Sequence, residues 1–195
     1  LQGETDLSHW RAIFRDVGLC SPTIIELDTV SAGQADTVRQ SVDDLRESMP
    51  LVVWNIDTAI RPGVLKPSAG ASEVVCFPSE KPHLSYAQIG DEGNITRVAE
   101  KVVISRWATA GLYAFESREI FDWAYGCAYG GVAAVGEQYV APLYNEVVRV
   151  GRVEAQCLQA ADVVPLGTPH ELVEARSSSW VRDLLADEGH ELPTS

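Results

Sequence analysis

Two oppositely charged residues, Glu100 and Lys101, stand in a β-rich run that the pattern predicts as a strand over 94–104. Apolar residues occupy both faces of this run, with Val98 on one face and Ala99 on the other. Because an unpaired charge is costly to bury, each of the two charges needs a partner, either another side chain or a ligand. The alternative is a pair of solvated charges on an edge strand.

Asp57 is the candidate for metal chemistry. It follows the unbroken apolar run 51–56, which is typical of a buried parallel strand. A carboxylate at the end of such a strand is well placed to hold Mg²⁺ against substrate phosphates. The alternative is a structural cap for the loop that follows.

Glycines mark two further positions where a ligand could approach the backbone. Gly33 and Gln34 stand where a predicted strand leads into a helix, and the alternative there is an ordinary loop glycine. Gly111 interrupts an otherwise regular strand and predicts a bulge or a close ligand approach. Tyr139 and Tyr144 stand in a predicted helix, where we interpret them as packing residues.

The elements that must position these residues alternate between α and β. A strand over 22–27, an amphipathic helix over 33–49 and the strand 51–56 predict a βαβ unit with a right-handed crossover. Ligands of open α/β sheets bind beyond the carboxyl ends of such strands, where Asp57 lies. Further strands are predicted over about 73–77, 84–89, 107–115 and 152–158, and helices over 7–17, 117–129, 137–149, from Thr168 onward and around 180–185.

Composition limits the class of partner. The 195 residues are 46% apolar and 22% charged, which predicts one soluble globular domain over 1–195. The net charge of −13 argues against a nucleic-acid partner, and the apolar runs are too short to cross a membrane. No signal peptide opens the sequence, which favours a cytoplasmic location. The cysteines and histidines show no metal-ligand spacing.

Several segments together resemble the sugar nucleotidyltransferase family, in particular its capsule and cell-surface polysaccharide branch, which is related to dTDP-glucose pyrophosphorylase. The resemblance implies a GT-A-like, Rossmann-related α/β fold with a mixed sheet flanked by helices. It also implies transfer of a nucleotidyl group from an NTP to a sugar 1-phosphate, with release of pyrophosphate and help from Mg²⁺. The matching segments are TVSAGQADTV (29–38), LVVWNID (51–57), LSYAQIGDEGNITRVAEK (84–101), ATAGLYAFES (108–117), EQYVAPLYNEVVRVG (137–151) and LGTPHEL (166–172).

The same resemblance implies roles for individual residues. Asp57 falls on the metal-binding aspartate of the family, and Lys101 falls where the family contacts the sugar phosphate, so these two are the catalytic candidates. Glu100 would bind sugar hydroxyls. Nucleobase contacts fall on Gly33 and Gln34, and the sugar pocket would be lined by Ser85, Tyr86 and Gly111.

The sequence departs from the family in two respects. The family begins with a strand and a Gly-rich loop that carries Arg and Lys, and roughly 50–60 residues of that region have no counterpart, judged by the usual length of a βαβ unit. Pro165 stands where many members place a second metal-binding aspartate. A non-catalytic nucleotide-sugar-binding or regulatory module is therefore the alternative function. A GT-A glycosyltransferase ranks third, because 55–57 (NID) is only half of a DxD motif. The sequence does not specify which nucleobase or which sugar is used, or whether the chain forms a homo-oligomer.

Overall fold

A computed structural model of the chain describes residues 23–66, 70–131 and 136–187. The chain divides into two compact units, Leu1–Ser31 and Ala32–Ser195. In the first unit the described residues, 23–31, form no helix or strand. The predicted helix over 7–17 and the first residue of the predicted strand 22–27 lie outside the described residues.

The second unit carries all the helices and strands of the described residues. Its helices are α1 (Gln34–Ser41), α2 (Arg118–Tyr129), α3 (Tyr144–Val150), α4 (Pro169–Ala175) and α5 (Ser179–Asp187), with short 3₁₀ helices at Ala141–Leu143 and Ala160–Asp162. Its strands are β1 (Leu51–Trp54), β2 (Thr58–Ile60), β3 (Ser72–Pro78), β4 (Tyr86–Ile89), β5 (Ile95–Ala99), β6 (Trp107–Phe115), β7 (Val153–Cys157) and β8 (Val163–Pro165).

A six-stranded mixed sheet organises this unit. Its order is β5-β4-β6-β3-β7, and β1 also pairs with β6. All these pairs are antiparallel except β3 with β7, which is parallel. One edge of β6 is shared, because β4 pairs with its first residues and β1 with its last four. Strands β2 and β8 form a separate antiparallel ribbon. The predicted α/β fold with a mixed sheet flanked by helices is confirmed.

Apolar side chains pack on both faces of the sheet. On the helical face, Phe115 of β6 packs edge-on against Phe121 of α2 and stacks on Tyr144 of α3, with ring centroids 5.2 Å and 4.7 Å apart. On the opposite face, Leu112 packs with Val163 and other residues of the β2–β8 side. The packing role predicted for Tyr144 is confirmed. Within the described ranges, no helix combines the length and the apolar character that a membrane crossing requires.

Helix α1 is shorter than the predicted helix 33–49, because it ends at Ser41. Carbonyl groups of the residues that follow it accept hydrogen bonds from Arg118 of α2 and do not continue the helical pattern. Arg118 uses its guanidinium to bind the carbonyl oxygen of Asp43 at 2.9 Å, and its backbone N–H donates to Met49 at 2.8 Å. The amphipathic pattern continues past Ser41, but the helix ends there because Arg118, 75 residues from Asp43 along the chain, binds the Asp43 carbonyl.

The first strand differs from its prediction in pairing and burial. β1 pairs antiparallel with β6, and its side chains alternate, so Val53 is buried while Val52 and Trp54 are half exposed. Residues 23–27 form no strand. The prediction of a buried parallel strand and a βαβ unit is therefore wrong for the described residues. An apolar run reports hydrophobicity on both faces, but it does not specify which strand lies beside it.

The strand predicted over 94–104 is also too long, since β5 ends at Ala99. Glu100 and Lys101 form a turn, and the valine at position 102 is 56% exposed. Lys101 has a φ of 54°. This left-handed conformation is incompatible with a continuing strand. The two charges therefore do not lie inside a buried strand, and their partners follow from the turn geometry described next.

Candidate functional site

A cleft of about 800 Å³ opens between α1, the β1–β2 turn, the turn after β5 and the loop after β8. This volume is in the range of small-molecule sites. The cleft brings together most of the candidate residues from distant parts of the chain. Those that line it are Gln34, Asp57, Ser85, Glu100, Lys101 and Gly111, whereas Gly33 and Tyr86 do not.

Glu100 forms one wall of this cleft. Its carboxylate accepts a hydrogen bond from the hydroxyl of Ser85. Burial raises the pKa of Glu100, and the hydrogen bond from Ser85 opposes this rise. Thr109 and Tyr113 also line the cleft, and their hydroxyls are 2.8 Å apart. The wall thus presents a carboxylate and several hydroxyls, which is a surface suited to the hydroxyl groups of a ligand.

Lys101 lies beside Glu100 and has a side-chain partner of its own. Its ammonium sits 4.5 Å from the ring centroid of Tyr139 and donates a hydrogen bond to the Tyr139 hydroxyl. This hydrogen bond raises the pKa of Lys101. The Tyr139 hydroxyl in turn donates to the carboxylate of Glu137. A fixed cation next to an acidic wall is a suitable contact for the phosphate of a ligand.

The residues at the start of α1 are tied to the segment 137–140. The amide of Gln34 donates to the side-chain oxygen of Asn55 and accepts a hydrogen bond from the N–H of Val140 at 3.2 Å. A Cβ added at Gly33 would lie 2.5 Å from the backbone nitrogen of Gln138. The close approach expected at Gly33 is thus made by the protein chain itself. A nucleobase contact of Gly33 and Gln34 stays a prediction.

Gly111 forms the predicted bulge. It has a φ of 70°, and the pairing of β3 with β6 shifts register beside it, between Val74 and Cys76. Its carbonyl accepts from the N–H of Asn55 at 2.8 Å, and a Cβ at this position would lie 2.9 Å from the Cβ of Asn55. The bulge therefore shapes the cleft by admitting the end of β1.

Tyr86 belongs to the apolar core and not to the cleft. It is fully buried, and its hydroxyl donates to the carbonyl of Lys81 at 2.9 Å. The neighbouring Ser85, which directly precedes β4, lines the cleft.

Asp57 occupies the other end of the cleft, in the turn between β1 and β2. Its carbonyl accepts from the N–H of Leu166 at 2.7 Å, and a Cβ added at Gly167 would lie 3.0 Å from its carboxylate. Pro165 lines the cleft nearby. Across the described ranges, no three His, Cys, Asp or Glu side chains lie close enough together to hold a metal by themselves. One exposed carboxylate fits Mg²⁺ only in a site where substrate phosphates and water supply the other ligands.

Among the cleft residues to which the sequence assigned no functional role are Tyr139, His83 and Glu171. Glu171 is 4% exposed and accepts from Lys81 at 3.2 Å and from His83 at 3.1 Å. Burial raises its pKa, but these two partners outweigh burial and hold the pKa below its ordinary value. The helix start at Thr168 is confirmed, since its hydroxyl accepts from the Glu171 N–H. No local signal links Glu171 to a histidine 88 residues away.

Tyr139 was interpreted as a packing residue, and that interpretation is wrong. The helix predicted over 137–149 is a 3₁₀ helix from Ala141 followed by α3, so residues 137–140 precede it and belong to no helix. This change turns the Tyr139 ring toward the cleft.

Known proteins resemble this chain in structure more clearly than in sequence. No protein-family profile and no curated protein sequence matches it. The nucleoside-diphosphate-sugar pyrophosphorylase from Vibrio cholerae RC9 is 25% identical with a TM-score of 0.78, over 93% of this chain and 78% of that one. The inositol-1-phosphate CTP transferase from T. maritima has a TM-score of 0.72 at 12% identity, over 97% of this chain and 76% of that one. A candidate glucose-1-phosphate thymidylyltransferase from Bacillus anthracis has a TM-score of 0.70 at 16% identity, over 93% of this chain and 74% of that one. The chain therefore has the sugar nucleotidyltransferase fold.

Proposed function

We propose that this protein transfers a nucleotidyl group from an NTP to a sugar 1-phosphate, or to a similar phosphorylated acceptor, with release of pyrophosphate. One observation carries the proposal: Glu100, Lys101 and Asp57 line a single cleft in this fold. The pyrophosphorylase from Vibrio cholerae, 25% identical in sequence, supports the same reaction class. The resemblance to the capsule branch favours a role in nucleotide-sugar supply for surface polysaccharide, in the cytoplasm.

The acceptor would bind at the Glu100 and Lys101 end of the cleft. The Lys101 ammonium would contact the acceptor phosphate, and Glu100 would accept hydrogen bonds from its hydroxyl groups. A local cation matters here because the chain carries a net charge of −13 and repels a phosphate dianion elsewhere. The Ser85 hydroxyl, bonded to Glu100, would keep that carboxylate oriented toward the ligand.

The NTP would bind at the end of the cleft where Gln34 and Asp57 lie. An oxygen of the acceptor phosphate attacks the α-phosphorus of the NTP, the new O–P bond forms, and the bond to the β-phosphate breaks to release pyrophosphate. Protein groups contribute chiefly by holding the two phosphates in line. Asp57 would hold Mg²⁺ together with the phosphates, and the ion would neutralise their charge.

Pyrophosphate release from the purified full chain tests this function. The protein is incubated with Mg²⁺, each of the common NTPs and a panel of sugar 1-phosphates. Release should occur with at least one pair, and Asp57→Asn should lower kcat by more than tenfold without lowering the melting temperature. The matched control is Asp91→Asn, which removes an exposed carboxylate from the turn before β5. Absence of release with every pair would refute the transferase activity, and equal losses of stability and activity would count against the metal role.

A second candidate is a non-catalytic module that binds a nucleotide sugar. Pro165, at the position where a second metal aspartate was expected, favours it. Calorimetric titration with nucleotide sugars separates the two functions. Binding of a nucleotide sugar, without pyrophosphate release from any NTP and acceptor pair, would indicate the module.

A further inference from the structure

We propose that Tyr139 is the positioning residue for Lys101, which holds the lysine ammonium at the acceptor end of the cleft. The kinetic part of this inference rests on the proposed function, but the positioning itself does not. The sequence does not predict this role, since its pattern indicates a packing residue at position 139. The role follows from three sets of contacts and from the backbone conformation of Lys101.

The first set is made by Lys101. A lysine side chain is long and flexible, so an exposed one normally samples many rotamers. Here the ammonium is held by one residue, since it donates to the Tyr139 hydroxyl and lies 4.5 Å from the centroid of the Tyr139 ring. A cation over an aromatic face is attracted by the ring quadrupole. Both contacts favour the same position of the ammonium.

The second observation is the backbone of Lys101. Its φ of 54° makes it the one non-glycine residue with positive φ among the described residues. Such a conformation is costly for an L-residue and persists where the surroundings determine it, often at functional sites. From this turn the Lys101 side chain reaches Tyr139.

Tyr139 is itself held by two partners. Its hydroxyl donates to the Glu137 carboxylate, so the oxygen lone pairs remain available for the Lys101 ammonium. Its carbonyl accepts from the hydroxyl of Tyr129 in α2 at 2.8 Å. Tyr139 is partly exposed and belongs to neither apolar core of the described residues, so core packing does not explain its position.

The peptide groups around Tyr139 anchor the same segment to α1. Gln138 donates its N–H to the carbonyl of Ala32 at 3.0 Å and accepts from the N–H of Ala35 at 2.8 Å. The N–H of Val140 donates to the Gln34 side chain. Residues 137–140, termed the bridging segment, therefore connect the start of α1 to Lys101. The Tyr139 side chain contacts Lys101 at the acceptor end. The hydrogen bonds to the start of α1 are made by the peptide groups of Gln138 and Val140, so a substitution of Tyr139 leaves them in place.

The first test needs no activity. Wild type, Tyr139→Phe and Tyr139→Leu are treated briefly with an amine-acylating ester, and each lysine is followed by peptide mass spectrometry. We expect Lys101 to react several-fold faster in the Leu variant, because the hydrogen bond that raises its pKa and the contact with the ring are both lost. The Phe variant should be intermediate, and Lys66, which lies outside the cleft lining, should not change. Unchanged Lys101 reactivity in both variants would overturn the proposal, whatever the enzyme does.

The second test uses the NTP and acceptor pair that releases pyrophosphate. Tyr139→Leu should raise the acceptor KM about tenfold, which corresponds to about 1.4 kcal/mol, and should leave the KM for the NTP unchanged. A similar rise in both KM values would overturn the acceptor-specific role. If Lys101 reactivity changes but wild type releases no pyrophosphate, the proposed function fails and the positioning role stands. If the Leu variant fails to fold, the Phe variant carries both tests, because it keeps the ring and loses only the hydroxyl.

Discussion

Substitution of Gly33 by alanine tests how the bridging segment is seated on α1. Gly33 has a φ of 142° and a ψ of −174°, a region of the backbone map that is essentially restricted to glycine. An added Cβ would lie 2.5 Å from the nitrogen and 2.7 Å from the oxygen of Gln138, where ordinary contact begins at 3.4 Å. The obstacle is backbone, which cannot rotate away as a flexible side chain can. The alanine must therefore displace the bridging segment or strain α1.

The expected cost has two parts. The unfavourable backbone conformation costs about 1–3 kcal/mol. Overpacking against the backbone of Gln138 costs a further 1–3 kcal/mol or so. Gly33→Ala should therefore lower the free energy of unfolding by roughly 2–6 kcal/mol. This is a large share of the 5–15 kcal/mol or so that is typical of a domain, so the variant folds with a reduced margin.

Gly93→Ala is the matched control, because Gly93 also has positive φ, 79°, but has nothing within 4 Å of an added Cβ. It should cost only about 1–2 kcal/mol, the usual penalty of the left-handed conformation. Urea denaturation followed by tryptophan fluorescence measures both variants. If Gly33→Ala loses no more stability than Gly93→Ala, then residues 137–140 do not pack on α1 as described. The positioning of Lys101 would then lose its support from that segment.

Two further predictions concern Asp57 and Asp36. Gly167→Ala should displace the Asp57 carboxylate, since its Cβ would lie 3.0 Å away, and should reduce Mg²⁺-dependent pyrophosphate release while the melting temperature stays nearly unchanged. An unaltered Mg²⁺ dependence would contradict this geometry. The pKa of Asp36 is lowered chiefly by the N–H of Ala32, which donates to it at 2.9 Å. The resulting stability is complete above the ordinary carboxyl pKa of about 3.9 and is lost as the pH falls through the lower folded value. The stability difference between wild type and Asp36→Asn should therefore shrink below about pH 4, and a constant difference from pH 6 to pH 2 would refute this linkage.

Local patterns predicted those elements whose ends are set by nearby residues. β6 has the predicted bounds, 107–115, because alternation and apolar character are properties of the strand itself. α2 begins one residue from its predicted start, since the hydroxyl of Ser117 accepts from the N–H of Ile120 within the first turn. α4 begins at the Thr168 cap for the same reason. In each case the cause lies within a few residues along the chain.

Other elements end where a distant partner acts, and there the sequence pattern misled. α1 stops at Ser41 although its apolar periodicity continues, because Arg118 binds carbonyls beyond it. β5 stops before Glu100 because the chain turns at Lys101 toward Tyr139, 38 residues away. The pairing of β1 likewise depends on β6, and no property of 51–56 alone specifies that neighbour.

The site residues likewise divide into those that the sequence predicted and those that only the tertiary structure identified. Residue types and order were enough to name Asp57, Glu100 and Lys101 as candidates, because a carboxylate after a strand and a charge pair between apolar residues are visible along the chain. Only the tertiary structure brought these residues into one cleft, buried Tyr86 and assigned Tyr139 to the lysine. The physical reason is that side-chain orientation and partner choice depend on contacts between residues far apart in sequence, whereas the chemistry of each residue belongs to the residue itself.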